Sequence, residues 1–113
     1  MLQSVSSRNH IQYGGIELNS ALRSVTACGK SVRLTPIEYR LLSVLVAEGG
    51  RTVSADQLLH RVWGKGYEGS DNYLWVHLSR LRRKLDTLVT PSLVVNERGA
   101  GYRVRRFEAS REP

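Results

Sequence analysis

Residues 70–85 have the sequence S-D-N-Y-L-W-V-H-L-S-R-L-R-R-K-L, and this stretch decides the fold. Its leucines recur at intervals of three and four residues, at Leu74, Leu78, Leu81 and Leu85. On a helix that turns about 100° per residue, they fall within a sector of roughly 60°. The stretch therefore predicts an amphipathic helix whose leucine stripe is buried. Asp71, at the amino end, is expected to cap N–H groups and complement the helix dipole.

The opposite face of this predicted helix is polar, basic and partly aromatic. Its centre consists of Asn72, Val76, Ser79 and Arg83, with Tyr73 and Arg80 on one shoulder and Trp75 and Arg82 on the other. A solvated helix face usually pairs acids with bases at i, i+4 spacing. This face lacks such pairs, since no acid follows Asp71 before Asp86. The pattern favours contact with phosphates and base edges over simple solvation.

Length and composition limit the classes of protein to which the chain can belong. The 113 residues suffice for one domain with a modest core. Seventeen Lys and Arg against ten Asp and Glu give a net charge of +7, which indicates a polyanionic partner. Basicity alone would fit a ribosomal or membrane-surface protein equally well. No apolar run is long enough to cross a bilayer, and residues 1–8 lack the apolar core of a signal peptide, so a cytoplasmic location is expected.

Short apolar segments separated by turn residues precede the first predicted helix. After a polar, Ser-rich start at 1–10 that is expected to be flexible, they occupy 11–13, 16–18, 22–28 and 32–34. They predict a small antiparallel sheet that packs against helices. The single cysteine, Cys28, excludes an intrachain disulfide and is expected to be a small buried or half-buried residue.

Two further helices with N-terminal capping signals are predicted before the basic helix. Thr35-Pro36-Ile37-Glu38 opens the first, which Gly49-Gly50 ends, and Ser54-Ala55-Asp56-Gln57 opens the second, which Gly64 ends. Trp63 is expected to anchor the core. The loop that follows gives a helix-turn-helix with a long connection. Its Lys65, Tyr67 and Glu68 are candidates for contact with another protein, or a plain solvent-exposed connection.

The C-terminal part predicts a β-hairpin. Residues 93–97 and 102–105 form its strands, and Arg98-Gly99-Ala100-Gly101 forms the turn. Arg98 is expected at the tip, with Arg103, Arg105 and Arg106 behind it as a second concentration of positive charge. A narrow ribbon tipped by arginine fits the minor groove of DNA, whose negative potential attracts guanidinium groups. Residues 107–113 form a tail.

Four motifs, in this order and at this spacing, resemble the winged-helix DNA-binding domain of OmpR/PhoB-type bacterial response regulators. They are L-T-P-I-E-Y-R-L-L at 34–42, V-W-G at 62–64, V-H-L-S-R-L-R-R-K-L at 76–85 and R-G-A-G-Y-R at 98–103. The resemblance implies an α+β winged helix-turn-helix over residues 11–106. It has a four-stranded N-terminal antiparallel sheet, three helices and a C-terminal β-hairpin wing. The family's receiver domain is not included, which implies an excised effector domain or a regulator controlled differently.

The resemblance also implies which residues contact DNA. The third helix, 70–86, would enter the major groove and the wing, 93–105, the adjacent minor groove. The implied helix contacts are Asn72, Tyr73, Val76, Ser79, Arg80, Arg82 and Arg83, and the implied wing contacts are Asn96 and Arg98. The charge of Lys84 adds it as a phosphate contact. The loop with Lys65, Tyr67 and Glu68 resembles the segment that contacts RNA polymerase in the family. Family members usually bind direct repeats as tandem dimers, so the resemblance implies such a dimer on DNA.

Two aromatic residues depart from the family pattern. Trp75 stands where members often carry a small acidic or amide residue, and Tyr73 where a threonine is frequent. His77 matches a family histidine that is packed beside the core. The bulk of the two aromatic side chains implies that the recognised base sequence differs from that of other members.

We expect sequence-specific binding of double-stranded DNA by a bacterial transcriptional regulator of a two-component system, without a cofactor or a metal. Val76 and Arg80 are expected at base edges. A rival function is a winged-helix adaptor whose basic face binds an acidic protein. An RNA-binding ribosomal-type protein is disfavoured, because a helix does not fit the narrow major groove of A-form RNA. An enzyme is least favoured, since three separated histidines and one cysteine give no triad or metal set.

Overall fold

The computed structural model describes residues 10–106, which form two sheets and three helices. The first sheet contains β1 (His10–Tyr13), β2 (Ile16–Asn19), β3 (Ser24–Ala27) and β4 (Lys30–Arg33). The helices are α1 (Pro36–Ala47), α2 (Ala55–Trp63) and α3 (Asp71–Asp86), and the hairpin consists of β5 (Val94–Glu97) and β6 (Gly101–Val104). The predicted α+β fold class is confirmed.

The N-terminal sheet is antiparallel, with strand order β1-β2-β3-β4. Its core-facing side chains include Ile16 and Leu18 of β2, which alternate with partly exposed neighbours as the pleat requires, and Val25 and Ala27 of β3. The third strand is shorter than predicted, because Arg23 and Cys28 have positive φ and belong to turns. The expectation that Cys28 is buried is wrong: with Gly29 it makes the two-residue turn between β3 and β4, and its side chain is exposed.

The predicted capping signals set the starts of α1 and α2. Glu38 N donates to Thr35 Oγ1 over 3.2 Å and Thr35 N donates to Glu38 Oε1 over 2.9 Å, which completes the capping box. Ser54 Oγ accepts from Gln57 N over 3.1 Å. At α3 the cap residue is Ser70, which makes no side-chain cap bond, and Asp71 is the first helical residue, where its charge complements the dipole.

The core lies where the three helices meet both sheets. The predicted leucine stripe of α3 is buried, each side chain being at most 1% exposed: Leu74, Leu78, Leu81 and Leu85. Leu41, Leu42 and Leu45 of α1 and Leu58 and Leu59 of α2 are likewise fully buried. Burying one leucine side chain contributes about 1.5–3 kcal/mol, so the stripe fixes the rotation of α3 about its own axis.

The wing is a hairpin that packs on the core and is also linked, through an isolated β-bridge, to the connection between α1 and α2. Val94 pairs with Val104 and Glu97 with Gly101 across the two strands. Val53, in the connection between α1 and α2, exchanges two backbone hydrogen bonds of 2.8 Å with Tyr102. This bridge fixes the wing relative to the helices.

The segments predicted at the two ends lie outside the described residues. Of the N-terminal segment 1–10 only His10 is described, and it is the first residue of β1. The C-terminal tail 107–113 is not described. Among residues 10–106, no helix has the length and apolar character that crossing a membrane requires.

The bridge at Tyr102 predicts a requirement for glycine at the preceding residue. A Cβ on Gly101 would lie 2.1 Å from Val53 O, and its φ is +146°. We therefore expect Gly101→Ala to lower the free energy of unfolding by about 3–5 kcal/mol, from steric overlap and backbone strain together. Urea unfolding at neutral pH measures this loss.

Gly99→Ala is the matched control. Gly99 also has a positive φ, +79°, but nothing lies within 4 Å of the added Cβ. This variant is expected to lose only about 1–2 kcal/mol. Equal losses in the two variants would contradict the close approach of Gly101 to Val53.

Candidate nucleic-acid interface

Burial of the leucine stripe turns the predicted contact face of α3 towards solvent. Ser79 is half-buried, and the exposed residues of the predicted set are Asn72, Tyr73, Val76, Arg80, Arg82 and Arg83. The face is thus available to a partner along its length. Its apolar and aromatic members stand in the first two turns, and its arginines stand in the second half of the helix.

The arginines of this face are not neutralised by the protein itself. Four ion pairs of lysine or arginine form within residues 10–106, and none of them includes Arg80, Arg82, Arg83 or the wing residue Arg98. Elsewhere Glu48 pairs with Arg51 and Arg61. Unpaired guanidinium groups on one face attract a polyanion and keep their donors available for it.

Lys84 differs from its three arginine neighbours. Its Nζ lies 2.7 Å from Glu38 Oε1, and the Glu38 side chain is almost completely buried at the start of α1. Burial acts to raise the pKa of Glu38, but the hydrogen bonds from Lys84 and from the Thr35 backbone outweigh it, so the pKa lies below the ordinary value of 4.5. The ammonium therefore already neutralises a buried carboxylate, and the phosphate contact of Lys84 stays a prediction.

The wing presents one arginine and uses two others internally. Asn96 and Arg98 are exposed, with Arg98 in the turn between the strands. Arg103 Nε pairs with Glu97, and the Arg105 guanidinium donates to the carbonyl oxygens of Pro91 and Ser92. Arg103 thus pairs with a wing carboxylate, Arg105 braces the base of the hairpin, and the exposed Arg106 lies over the Tyr13 ring. Arg98 is the exposed cation at the tip of the wing.

The tip half of the wing lies close to the start of α3, since Asn96, Glu97 and Tyr102 line one cleft with Asp71. Burial raises the pKa of Tyr102 first, and the negative charge of Asp71 raises it further, while Arg82 acts in the opposite direction. Asp71 and Arg82 are therefore near enough to Tyr102 for their charges to act on its hydroxyl. The cleft between the start of α3 and the wing is lined in part by Asp56, Asp71 and Glu97. These acids repel phosphates. The positive surface on the second half of α3 and the positive charge of the wing tip are therefore two separate regions.

Aromatic rings tie the loop 64–70 to the two helices beside it. This aromatic cluster consists of Trp63, Tyr67, Tyr73 and His77. Tyr73 lies 5.1 Å from Trp63 and 5.0 Å from His77 between ring centroids, and it stacks on Tyr67 at 6.2 Å. Each such contact contributes about 0.5–1.5 kcal/mol beyond burial. The loop is thus held against α3, with Lys65 and Glu68 on its exposed side.

Two predicted site residues, Tyr67 and Tyr73, belong to this aromatic cluster. Tyr73, predicted at the DNA, is held in the cluster by three neighbours although 45% of it is exposed. Trp63 packs partly on the core, as predicted, and also on these rings. Trp75, which the sequence prediction left out of the contact set, is 55% exposed, and only its shoulder position on the helix wheel signalled this.

The four-stranded sheet, the three helices and the wing define a winged helix-turn-helix domain. Residues 29–104 match the family model described as "Transcriptional regulatory protein, C terminal". The chain belongs to this family, the OmpR/PhoB-type effector domains, which confirms the resemblance inferred from the motifs.

Curated relatives come from several response regulators. The chain is 38% identical over 92 residues to the phosphate regulon transcriptional regulatory protein PhoB of Rhizobium meliloti, covering 81% of this chain and 40% of the relative. It is 34% identical over 94 residues to the KDP operon transcriptional regulatory protein KdpE of Escherichia coli, covering 82% and 42%. With the heme response regulator HssR of Staphylococcus epidermidis, identity is 32% over 100 residues, covering 88% and 45%. The chain thus spans less than half the length of these relatives.

Solved structures of isolated domains are covered almost completely. The Klebsiella pneumoniae RstA DNA-binding domain in complex with the RstA box has a TM-score of 0.72 and 29% identity, over 84% of this chain and 95% of that one. The DNA-binding domain of CpxR from E. coli has a TM-score of 0.67 and 27% identity, over 84% and 94%.

The ion pair beneath α3 predicts that Lys84 stabilises the domain. Lys84→Met would leave a buried carboxylate without its partner, and we expect a loss of about 3 kcal/mol in the free energy of unfolding at pH 7. Because the folded-state pKa of Glu38 is lowered, the pair stabilises the fold above the unfolded pKa, near 4.5, and this stabilisation is lost as the pH falls through the folded pKa. The difference between variant and wild type therefore shrinks below about pH 4.5.

Arg83→Met is the control, since Arg83 is exposed and takes part in no ion pair of the described residues. It is expected to change stability by less than about 0.5 kcal/mol at either pH. Urea unfolding at pH 7 and pH 4 measures both variants. A loss for Lys84→Met that is the same at the two pH values would contradict the role of the pair.

Proposed function

We propose that this chain binds double-stranded DNA with sequence specificity, as the effector domain of a bacterial two-component transcriptional regulator. The observation that carries the proposal is the set of unpaired arginines on α3 and at the wing tip: Arg80, Arg82, Arg83 and Arg98. They belong to one rigid unit, since Val53 bridges the wing and the leucine stripe fixes α3. Family membership and the likeness to the RstA domain in complex with its box support the same function.

The proposed geometry places α3 in the major groove and Arg98 in the adjacent minor groove. Arg80 and Val76 would contact base edges, because arginine binds guanine O6 and N7 and a small apolar group suits a thymine methyl. Arg82 and Arg83 would hold phosphates. Asn72, Ser79 and Asn96 supply neutral polar groups at the same surface, while Tyr73 serves mainly to fix the loop.

Other proposed features follow from the family. A regulator of transcription acts where the chromosome lies, so we assign the domain to the cytoplasm and to a binding rather than a catalytic role. Contact of Lys65, Tyr67 and Glu68 with RNA polymerase and tandem pairing on direct repeats stay predictions. For the loop, the supporting observation is that it is exposed yet fixed by the aromatic cluster.

The proposed roles predict different effects for two arginines of the same helix. Arg80→Ala should reduce discrimination at one base position by about 1–3 kcal/mol, because a bidentate contact with guanine is lost. Arg83→Ala should weaken binding to all sequences alike and reduce the salt dependence by about one unit of slope, because one phosphate contact is lost. Competition binding with selected and random duplexes over a range of salt concentrations measures both effects.

Each variant is the control for the other. If Arg80→Ala weakens binding to selected and random duplexes equally, Arg80 does not contact a base. The adaptor function predicts a different result for the wild type, namely little preference for DNA and binding of an acidic protein that persists at high salt. That result would overturn the proposed function.

A further inference from the structure

The first two turns of α3 expose an unusual amount of apolar surface. Six large hydrophobic side chains are exposed among residues 10–106. Three of them lie within four positions of this helix: Tyr73 at 45%, Trp75 at 55% and Val76 at 40%. Exposed hydrophobic residues that are scattered singly require no explanation, whereas adjacent ones mark a contact surface.

Trp75 is the member of this group whose exposure the fold does not explain. Tyr73 has three ring partners in the aromatic cluster, but no aromatic pair of the described residues includes Trp75. Its indole therefore stands on the outer side of the helix without a stacking partner. Removing an indole from water is favourable in free energy, and a binding partner that covered Trp75 would gain that free energy.

The charges around Trp75 indicate the chemistry of that partner. Arg82 lies two turns further along the same shoulder with Arg83 beside it, and Arg80 lies on the opposite shoulder. None of these arginines takes part in an ion pair of residues 10–106, and the one acid near Trp75 on this helix, Asp71, lies one turn before it, at the helix start. A protein partner that buries an indole would have to accommodate these three cations, whereas DNA neutralises them with phosphates. The apolar group that a base edge presents in the major groove is the C5 methyl of thymine.

We infer that Trp75 is a specificity-determining residue, which with Val76 packs on thymine methyl groups beneath the N-terminal half of α3. The inference rests on the proposed function and extends it to the kind of base that is recognised. The preferred site then contains neighbouring thymines at the N-terminal end of the helix and a guanine at the end where Arg80 lies. In this scheme, apolar residues at the N-terminal end of the helix select thymine, and arginines at the other end bind guanine and phosphates.

Replacing thymine by deoxyuridine in the preferred duplex tests this directly, since the change removes only the methyl group. Duplexes are first selected from a random pool with the wild-type chain, and each thymine is then replaced in turn. We expect one or two replacements to weaken wild-type binding about three- to fivefold each, which corresponds to burial of one methyl group. The Trp75→Ala variant should bind the thymine and deoxyuridine duplexes equally at the position that Trp75 contacts.

Leu22→Ala is the matched control, because Leu22 is 53% exposed but lies in the turn between β2 and β3, away from α3. It should keep the full wild-type response to deoxyuridine. If the wild type binds every deoxyuridine duplex as tightly as the thymine duplex, or if Trp75→Ala shows the same losses as the wild type, the inference is overturned while the proposed function stands. If no duplex is selected at all, the proposed function fails, and this inference fails with it.

Discussion

Burial of one leucine stripe is the constraint on which the rest of this structure depends. Because the side chains of Leu74, Leu78, Leu81 and Leu85 are all removed from water, α3 has a single rotation about its axis. That rotation presents the opposite face, with its arginines, to solvent. Burial of the apolar face of this helix thus sets the direction in which its arginines point.

The same constraint divides the cations of α3 into two groups. Arg80, Arg82 and Arg83 on the outer face take part in no ion pair of residues 10–106. Lys84 lies on the flank towards α1, where the buried Glu38 carboxylate of the capping box meets its ammonium. One side chain therefore joins the start of α1 to the end of α3, and its neighbours remain available to a partner.

A backbone bridge and buried side chains together position the wing, since Leu93, Val94 and Val104 belong to the core. The paired hydrogen bonds between Val53 and Tyr102 are possible because Gly101 has no Cβ at a point where Val53 O would lie 2.1 Å away. Arg105 adds bonds to the Pro91 and Ser92 carbonyls at the base of the hairpin. Arg98 is thus presented from a fixed support, although the strands that carry it are only four residues long.

The sequence by itself determined the three helices, the sheet, the hairpin and the family, because periodicity, capping residues and glycine turns are local signals that survive without knowledge of contacts. It did not reveal that Cys28 is a turn residue with positive φ, that Lys84 is bound to Glu38, or that Tyr73 belongs to an aromatic cluster. Each of these depends on a backbone conformation or on residues distant along the chain. Tertiary structure therefore decided which cations and aromatic rings remain free for a partner, since a side chain already satisfied within the fold has little left to offer outside it.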